Sequence, residues 1–219
     1  MRLTRALALF LTCALARAAA AQPAALPGLD DLPEPTRYLA GYVTAAGGAA
    51  LPFGGHWGDK DAGFKPSPAL SLSASRRVDE VLSYGLEAAY SLKHQNRAVK
   101  GLELKLFSFT PFVRVSVPQG DTLYYGILGA GLYQWNQPAY TAAGARYPSD
   151  SGSSAGVNLG GGVSYPFWWG TRIGLDLRWH HIFNMKGANF SLDSPDSFNV
   201  MVALHYGVWK DRAAAATAQ

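Results

Sequence analysis

Two adjacent histidines stand in the run Arg178-Trp179-His180-His181-Ile182-Phe183-Asn184, with Asp196 following further along the chain. A histidine oriented by a carboxylate is the base half of a nucleophilic hydrolase, but that chemistry also needs a nucleophile within hydrogen-bond reach. Ser191 or Ser194 supplies one only if the loop folds back onto His181. The pair is no better as a metal chelate. Neighbours on a strand point to opposite faces, so His180 and His181 do not converge on one ion. No catalytic residue, metal site or cofactor is therefore expected. Glu87, Arg114, Asp176, Arg178 and His180 instead share the inward parity of their strand-like runs. Charges in such a setting must be paired, so they read structurally as an interior ion-pair network and functionally as a plug or gate of a narrow pore. Trp57, in the loop-like stretch FGGHWGDKDAGF, is the candidate exposed contact for an extracellular partner or lipopolysaccharide.

The elements that must position these residues are strands. In the stretch LYYGILGAGLYQW (123–135), Gly126, Gly129 and Gly131 would each cost a helix about 1 kcal/mol, whereas a strand with one crowded face can use missing side chains. Read with period two, Leu128, Ala130 and Leu132 share one face, and Gly129, Gly131 and Tyr133 the other. Similar runs cover 37–46, 67–78, 81–93, 102–117, 155–167, 171–183 and 197–208. In the run 171–183, Ile173, Leu175, Leu177 and Trp179 oppose Arg172, Asp176, Arg178 and His180. Short turns at 79–80, 118–122 and 168–170 alternate with longer connections at 47–66, 94–101, 136–154 and 184–196. Tight turns at one rim and long loops at the other predict an all-β fold, an eight-stranded antiparallel up-and-down transmembrane β-barrel. A soluble ligand-binding barrel would enclose its apolar face; the small or polar faces here suit a narrow, filled lumen with the apolar set towards lipid. Leu102, Leu104 and Leu106 differ in parity from Val113, Val115 and Val117, which predicts a bulge near 107–111. Aromatics near strand ends form candidate girdles: Tyr38, Tyr124, Phe167, Trp168, Trp169, Tyr206 and Trp209 at one rim, and Trp135, Trp179, Phe183 and Phe198 at the other.

The first 21 residues fix the compartment. Arg2 and Arg5, an apolar run from Ala6 to Ala16, and Ala19 and Ala21 before Gln22 have the order of a secretory signal. The run is shorter than the roughly 20 residues of a spanning helix, and Arg17 interrupts it. Cys13 lies inside this signal and lacks the small preceding residue of a lipidation site, so the mature chain should hold no thiol. Cleavage takes 21 of 219 residues and lowers the basic count from 19 to 16 against 15 acids. The mature chain is nearly neutral, so the pI of 9.2 of the full chain implies no nucleic-acid partner. Pro23, Pro27, Pro33 and Pro35 make 22–36 an extended periplasmic leader, the barrel occupies 37–209, and 210–219 is a periplasmic tail. An even strand count puts both termini in the periplasm and the long loops outside.

LFSFTPFVRVSVPQGDTLYYGILGAGLYQW, with GVNLGGGVSYPF, IGLDLRWHHIF and FNVMVALHYGV behind it, resembles the OmpW and OmpA-like small outer-membrane barrels over roughly 38–208. The resemblance implies an outer-membrane location, contact with outer-membrane lipids and lipopolysaccharide, and insertion by the barrel-assembly machinery. Of the possible roles, the resemblance implies a lateral conduit for small hydrophobic compounds; the long outer loops instead suit a surface-interaction role with an extracellular partner, and the proline-rich leader and tail a structural or anchoring role in an envelope complex. One departure is that 210–219 follows Trp209, where such barrels usually stop at an aromatic. The run from Arg178 to Asn184 is similar to the Arg-x-x-His-x-Ser-Asn stretch of the PagL lipid A deacylases, with His181 at the base and Asn184 matching. Phe183 stands at the serine, so the likeness implies no activity.

Overall fold

The computed structural model describes residues 37–188 and 190–211, and Leu39–Trp209 form one compact unit. The expected signal and proline-rich leader lie outside the described residues, as does the tail beyond Asp211. The strands are β1 (Arg37–Phe53), β2 (Ser67–Arg77), β3 (Leu82–Gln95), β4 (Glu103–Gln119), β5 (Thr122–Gln137), β6 (Tyr140–Ala142), β7 (Ala145–Tyr147), β8 (Asp150–Trp168), β9 (Thr171–Ile182), β10 (Met185–Lys186), β11 (Ser191–Leu192) and β12 (Asp196–Asp211). Eight of them close an antiparallel barrel in the order β1-β12-β9-β8-β5-β4-β3-β2. The pairs β6–β7 and β10–β11 are small hairpins within two of the long connections. One rim carries both strand termini and the tight turns, and is called here the terminal rim; the other is the loop rim.

Local chemistry sets the turns. Asp79 Oδ1 accepts hydrogen bonds from the backbone N–H groups of Val81 (2.8 Å) and Leu82 (2.7 Å), closing the β2–β3 hairpin. These bonds hold the Asp79 carboxyl below the usual carboxylate range. The β8–β9 turn carries Trp169 at φ 43°, a left-handed conformation rare for a bulky residue, and leaves its ring 84% exposed. Tyr38, Tyr124, Phe167, Trp168, Tyr206 and Trp209 are also exposed, so the terminal rim carries a band of aromatic rings.

Alternation along the strands sorts side chains between wall and lumen. Leu70, Leu72, Leu128 and Leu132 are more than half exposed on the outer face, an arrangement stable only against hydrocarbon. Tyr125, Ile127, Gly129, Tyr133 and Trp135 of β5 point inward and are buried. Ile127 and Tyr133 therefore belong to the same lumenal face as the glycines. That face is crowded. A Cβ on Gly131 would lie 2.2 Å from the Phe109 carbonyl oxygen, and one on Gly129 would lie 2.8 Å from Asn158 Oδ1.

Three details differ from the sequence expectations. β4 has no bulge near 107–111: Leu104 and Leu106 face inward with Ser108, Thr110 and Arg114 in one unbroken alternation. The parity puzzle arises because the lumen itself turns from polar to apolar towards the loop rim. The register shift lies across the seam in β3, between Ser91 and His94. Trp135, assigned to the loop-rim girdle, is 2% exposed and inside the barrel. Finally, β1 and β8 run further towards the loop rim than expected, because Gly-, Ser- and Asp-containing segments still pair there, as from Gln137↔Asp150 to Leu132↔Ala155.

Gly131→Ala is expected to destabilise the barrel by about 1–3 kcal/mol, since the neighbour it strikes is backbone. Equilibrium urea unfolding in lipid vesicles measures the shift, and an unchanged midpoint contradicts the crowding.

Candidate functional site

The lumen is the densest collection of polar groups, built by inward positions of several strands. At its middle, Arg178 of β9 pairs with Glu87 of β3 and, at 3.1 Å, with Asp176 Oδ2. Gly160, opposite Arg178 on β8, leaves room for the guanidinium stem: an added Cβ would lie 3.0 Å from Arg178 Cγ. Arg114 is equally buried, but its guanidinium lies over the Tyr125 ring at 3.8 Å and the Tyr42 ring at 5.4 Å. Tyr125 Oη is 3.4 Å from both Asp176 Oδ2 and His205 Nε2, and His205 Nδ1 is 2.9 Å from Thr44 Oγ1. Two carboxylates and two guanidiniums are thus packed among tyrosine and histidine rings; Arg178 is paired with both carboxylates at short range, whereas Arg114 is met by ring faces.

His180 lies on the loop side of this layer. Its Nδ1 is 2.9 Å from Tyr133 Oη and its Nε2 is 3.1 Å from Asn199 Nδ2, so both ring nitrogens are occupied. The cavity beside it measures about 20 Å³, room for one water. Of the five residues expected to face inward together, Glu87, Asp176 and Arg178 form the ion-pair cluster; Arg114 is held by aromatic faces and His180 by hydrogen bonds.

Above His180 the lumen is closed by apolar side chains. Trp57, Phe64, Leu104, Leu106, Tyr133, Trp135, Ile182, Met185 and Leu192 form one buried cluster, with Leu102 and Phe190 packed against it. Trp57, expected as an exposed contact, is instead 2% exposed: its ring packs on Phe64 at 4.8 Å and on His94 at 5.0 Å. The loop 54–66 folds inward because its apolar residues have a partly apolar lumen end to cover. Sequence reasoning missed this lid, although the signal was present in the even-numbered leucines of 102–106. The register shift in β3 turns His94 inward to meet Trp57, and its Nδ1 is 3.0 Å from the Lys65 carbonyl oxygen. Asn96 ties the lid to the next loop through its Nδ2 donating to the Ala62 carbonyl, while the Arg97 N–H donates to Gly63 O.

On the outer side, His181 Nδ1 is 2.7 Å from Asp196 Oδ1, and the Phe183 ring stands 5.0 Å away. A base and its orienter are therefore together, but the position beside them is filled by a phenyl ring. Among the described residues, no group of three His, Cys, Asp or Glu is arranged to hold a metal ion.

The outer membrane protein beta-barrel domain family matches residues 6–205. The chain belongs to that family. Among solved structures, this outer-membrane barrel is similar to Neisserial surface protein A, at 16% identity over 77% of this chain and 97% of that one, with a TM-score of 0.58. It is also similar to the outer membrane protein OprG from Pseudomonas aeruginosa, at 13% identity over 80% and 98%, with a TM-score of 0.50. At these identities the likeness is one of fold. No curated protein matches the chain by sequence.

Glu87→Ala leaves Arg178 short of one counter-charge inside the barrel. It is expected to cost about 3 kcal/mol in urea unfolding from vesicles, with Glu87→Gln costing less. A neutral effect for Glu87→Ala contradicts the pairing.

Proposed function

We propose that this protein is a sealed, non-enzymatic outer-membrane scaffold that displays a rigid crown of loops to an external partner. The observation that carries this reading is the double closure of the lumen, by the Arg178–Glu87–Asp176 cluster at mid-depth and by the Trp57–Phe64–His94 lid at the loop rim. A barrel filled in this way offers no aqueous path of solute width. What remains accessible is the loop rim. There the β6–β7 hairpin stands with the Tyr140 and Tyr147 rings stacked at 4.8 Å, and Arg146 is exposed beside them. Rigid aromatic and arginine side chains suit protein contacts, which gain most from groups already ordered before binding. The termini face the periplasm and the crown faces outward in this reading, supported by the tight turns at the terminal rim and the folded loops at the other. The His181–Asp196 pair acts structurally, tying β9 to β12, because Phe183 provides no attacking atom.

In planar bilayers the protein is expected to be electrically silent at all voltages; steady single-channel currents would overturn the sealed reading. Orientation is tested separately. The one cysteine in the sequence lies in the expected signal, so Lys60→Cys and Gln119→Cys each place a lone thiol in the barrel. On intact cells a membrane-impermeant maleimide should label Lys60→Cys and spare Gln119→Cys, and the reverse pattern would invert the assignment.

A further inference from the structure

The outer wall carries a trough. Across β2, β3, β4, β5 and β8 one register row reads Ala74, Leu86, Pro111, Ala130 and Val157, with Pro111 lying across from Ala130 between the pairs Phe109↔Leu132 and Phe112↔Gly129. Four of these five side chains are short. The row towards the terminal rim carries Tyr84, Val113 and Leu128, and the row towards the loop rim carries Leu72, Phe109 and Leu132, all exposed. The lane of short side chains and the row on its terminal side, with Arg76, Tyr84, Val113 and Leu128, line a concavity of about 1010 Å³ open to the hydrocarbon side.

Its shape and its end select an occupant. Five strands set about 4.8 Å apart make the trough roughly 19 Å long, and strand tilt inclines it, so it covers about one leaflet of the ~30 Å hydrocarbon core. At its lower end stands Arg76, exposed on the outer face one residue before β2 ends at the terminal rim. No carboxylate among the described residues pairs with it. Tyr84, its cross-strand partner, is 50% exposed beside it. A guanidinium on a lipid-facing wall is stable at headgroup depth with an anion to meet, and a phenol hydroxyl belongs at the same depth.

We infer that the trough is a binding site for one anionic phospholipid, whose acyl chain lies along Ala74, Pro111, Ala130 and Val157 and whose phosphate is met by Arg76 and Tyr84. The choice of a phospholipid over lipid A rests on the periplasmic placement of the terminal rim; the trough itself does not. A chain laid in the lane covers apolar surface that a disordered, laterally mobile lipid covers less completely. One leaflet-deep contact with a single charged end also suits a lipid better than a second barrel, which would meet the uncovered Arg76 guanidinium with apolar wall.

Native mass spectrometry of the full chain released from mild detergent, with equal amounts of phosphatidylglycerol, phosphatidylethanolamine and lipid A added, tests the site. Wild type should retain one phosphatidylglycerol. Arg76→Ala should retain about fivefold less, the worth of one cationic contact at a membrane surface. Ala130→Leu, which fills the lane, should lose the adduct, and Leu204→Ala on β12 should keep it. A heat-dependent gel shift verifies folding of each variant, and Ala74→Leu fills the lane from its other end should Ala130→Leu not fold. Equal retention by the filled variants, or a dimer that Ala130→Leu dissolves, would overturn the site. Preference for lipid A would overturn the phospholipid assignment, and the cysteine-labelling result shows separately whether the orientation has failed.

Discussion

A backbone that crosses hydrocarbon finds no water for its amides and carbonyls, and a sheet meets that demand only when its last strand pairs with its first. In this chain the closing seam joins β1 to β12. Gly48 shows how close the two strands come: a Cβ there would lie 2.0 Å from the Val200 carbonyl oxygen. The sheet closes with eight strands, and that number leaves a lumen just wide enough for side chains. Charge pairing, glycine placement and the ring packing around Arg114 are responses to that narrowness. Arg178 lies inside because Gly160 gives it space; Tyr125 lies inside because Gly162 does, where an added Cβ would lie 2.4 Å from the Tyr125 hydroxyl.

The lumen is graded along its axis. Near the terminal rim Tyr42, Tyr125, Arg114 and His205 mix aromatic faces with polar atoms; ion pairs hold the middle; the loop end is nearly a soluble protein's core. This last zone makes loop 54–66 part of the barrel rather than an appendage. Its order is set by Trp57 and Phe64 below it, with Asp59 capping its own turn through the Asp61 and Ala62 N–H groups. The outer face follows a different rule. There the solvent is lipid, long aliphatic side chains are the default, and a lane of short ones is the departure that carries information.

Much of this was legible in the sequence because a barrel strand obeys a two-residue period and each turn announces itself. All eight barrel strands, the antiparallel order and the inward set Glu87, Asp176 and Arg178 follow from those two signals. Two misreadings share one cause. The parity of Leu104 and Leu106 and the girdle position of Trp135 follow only if apolar means lipid-facing, and that premise fails where the lumen is apolar too. A loop rich in glycine and charge reads as surface, yet the burial of Trp57 depends on what lies beneath that loop, which no local pattern reports. The His180–Tyr133–Asn199 contacts and the Arg114–Tyr125 stack join residues from strands distant in sequence, and periodicity cannot encode such distances.

The extra residue in β3 has a mechanical meaning. Below it the strand presents Glu87 and Ser91 to the lumen on odd positions; above it His94 faces inward on an even one. The ion-pair layer and the lid are therefore keyed to opposite phases of a single strand, like two gears cut on one shaft. A strand slip that improved the fit of one would throw the other out of mesh. Both layers are therefore satisfied at one register of β3 against β4, and the loop rim takes its angular setting from a frame shift buried beneath it.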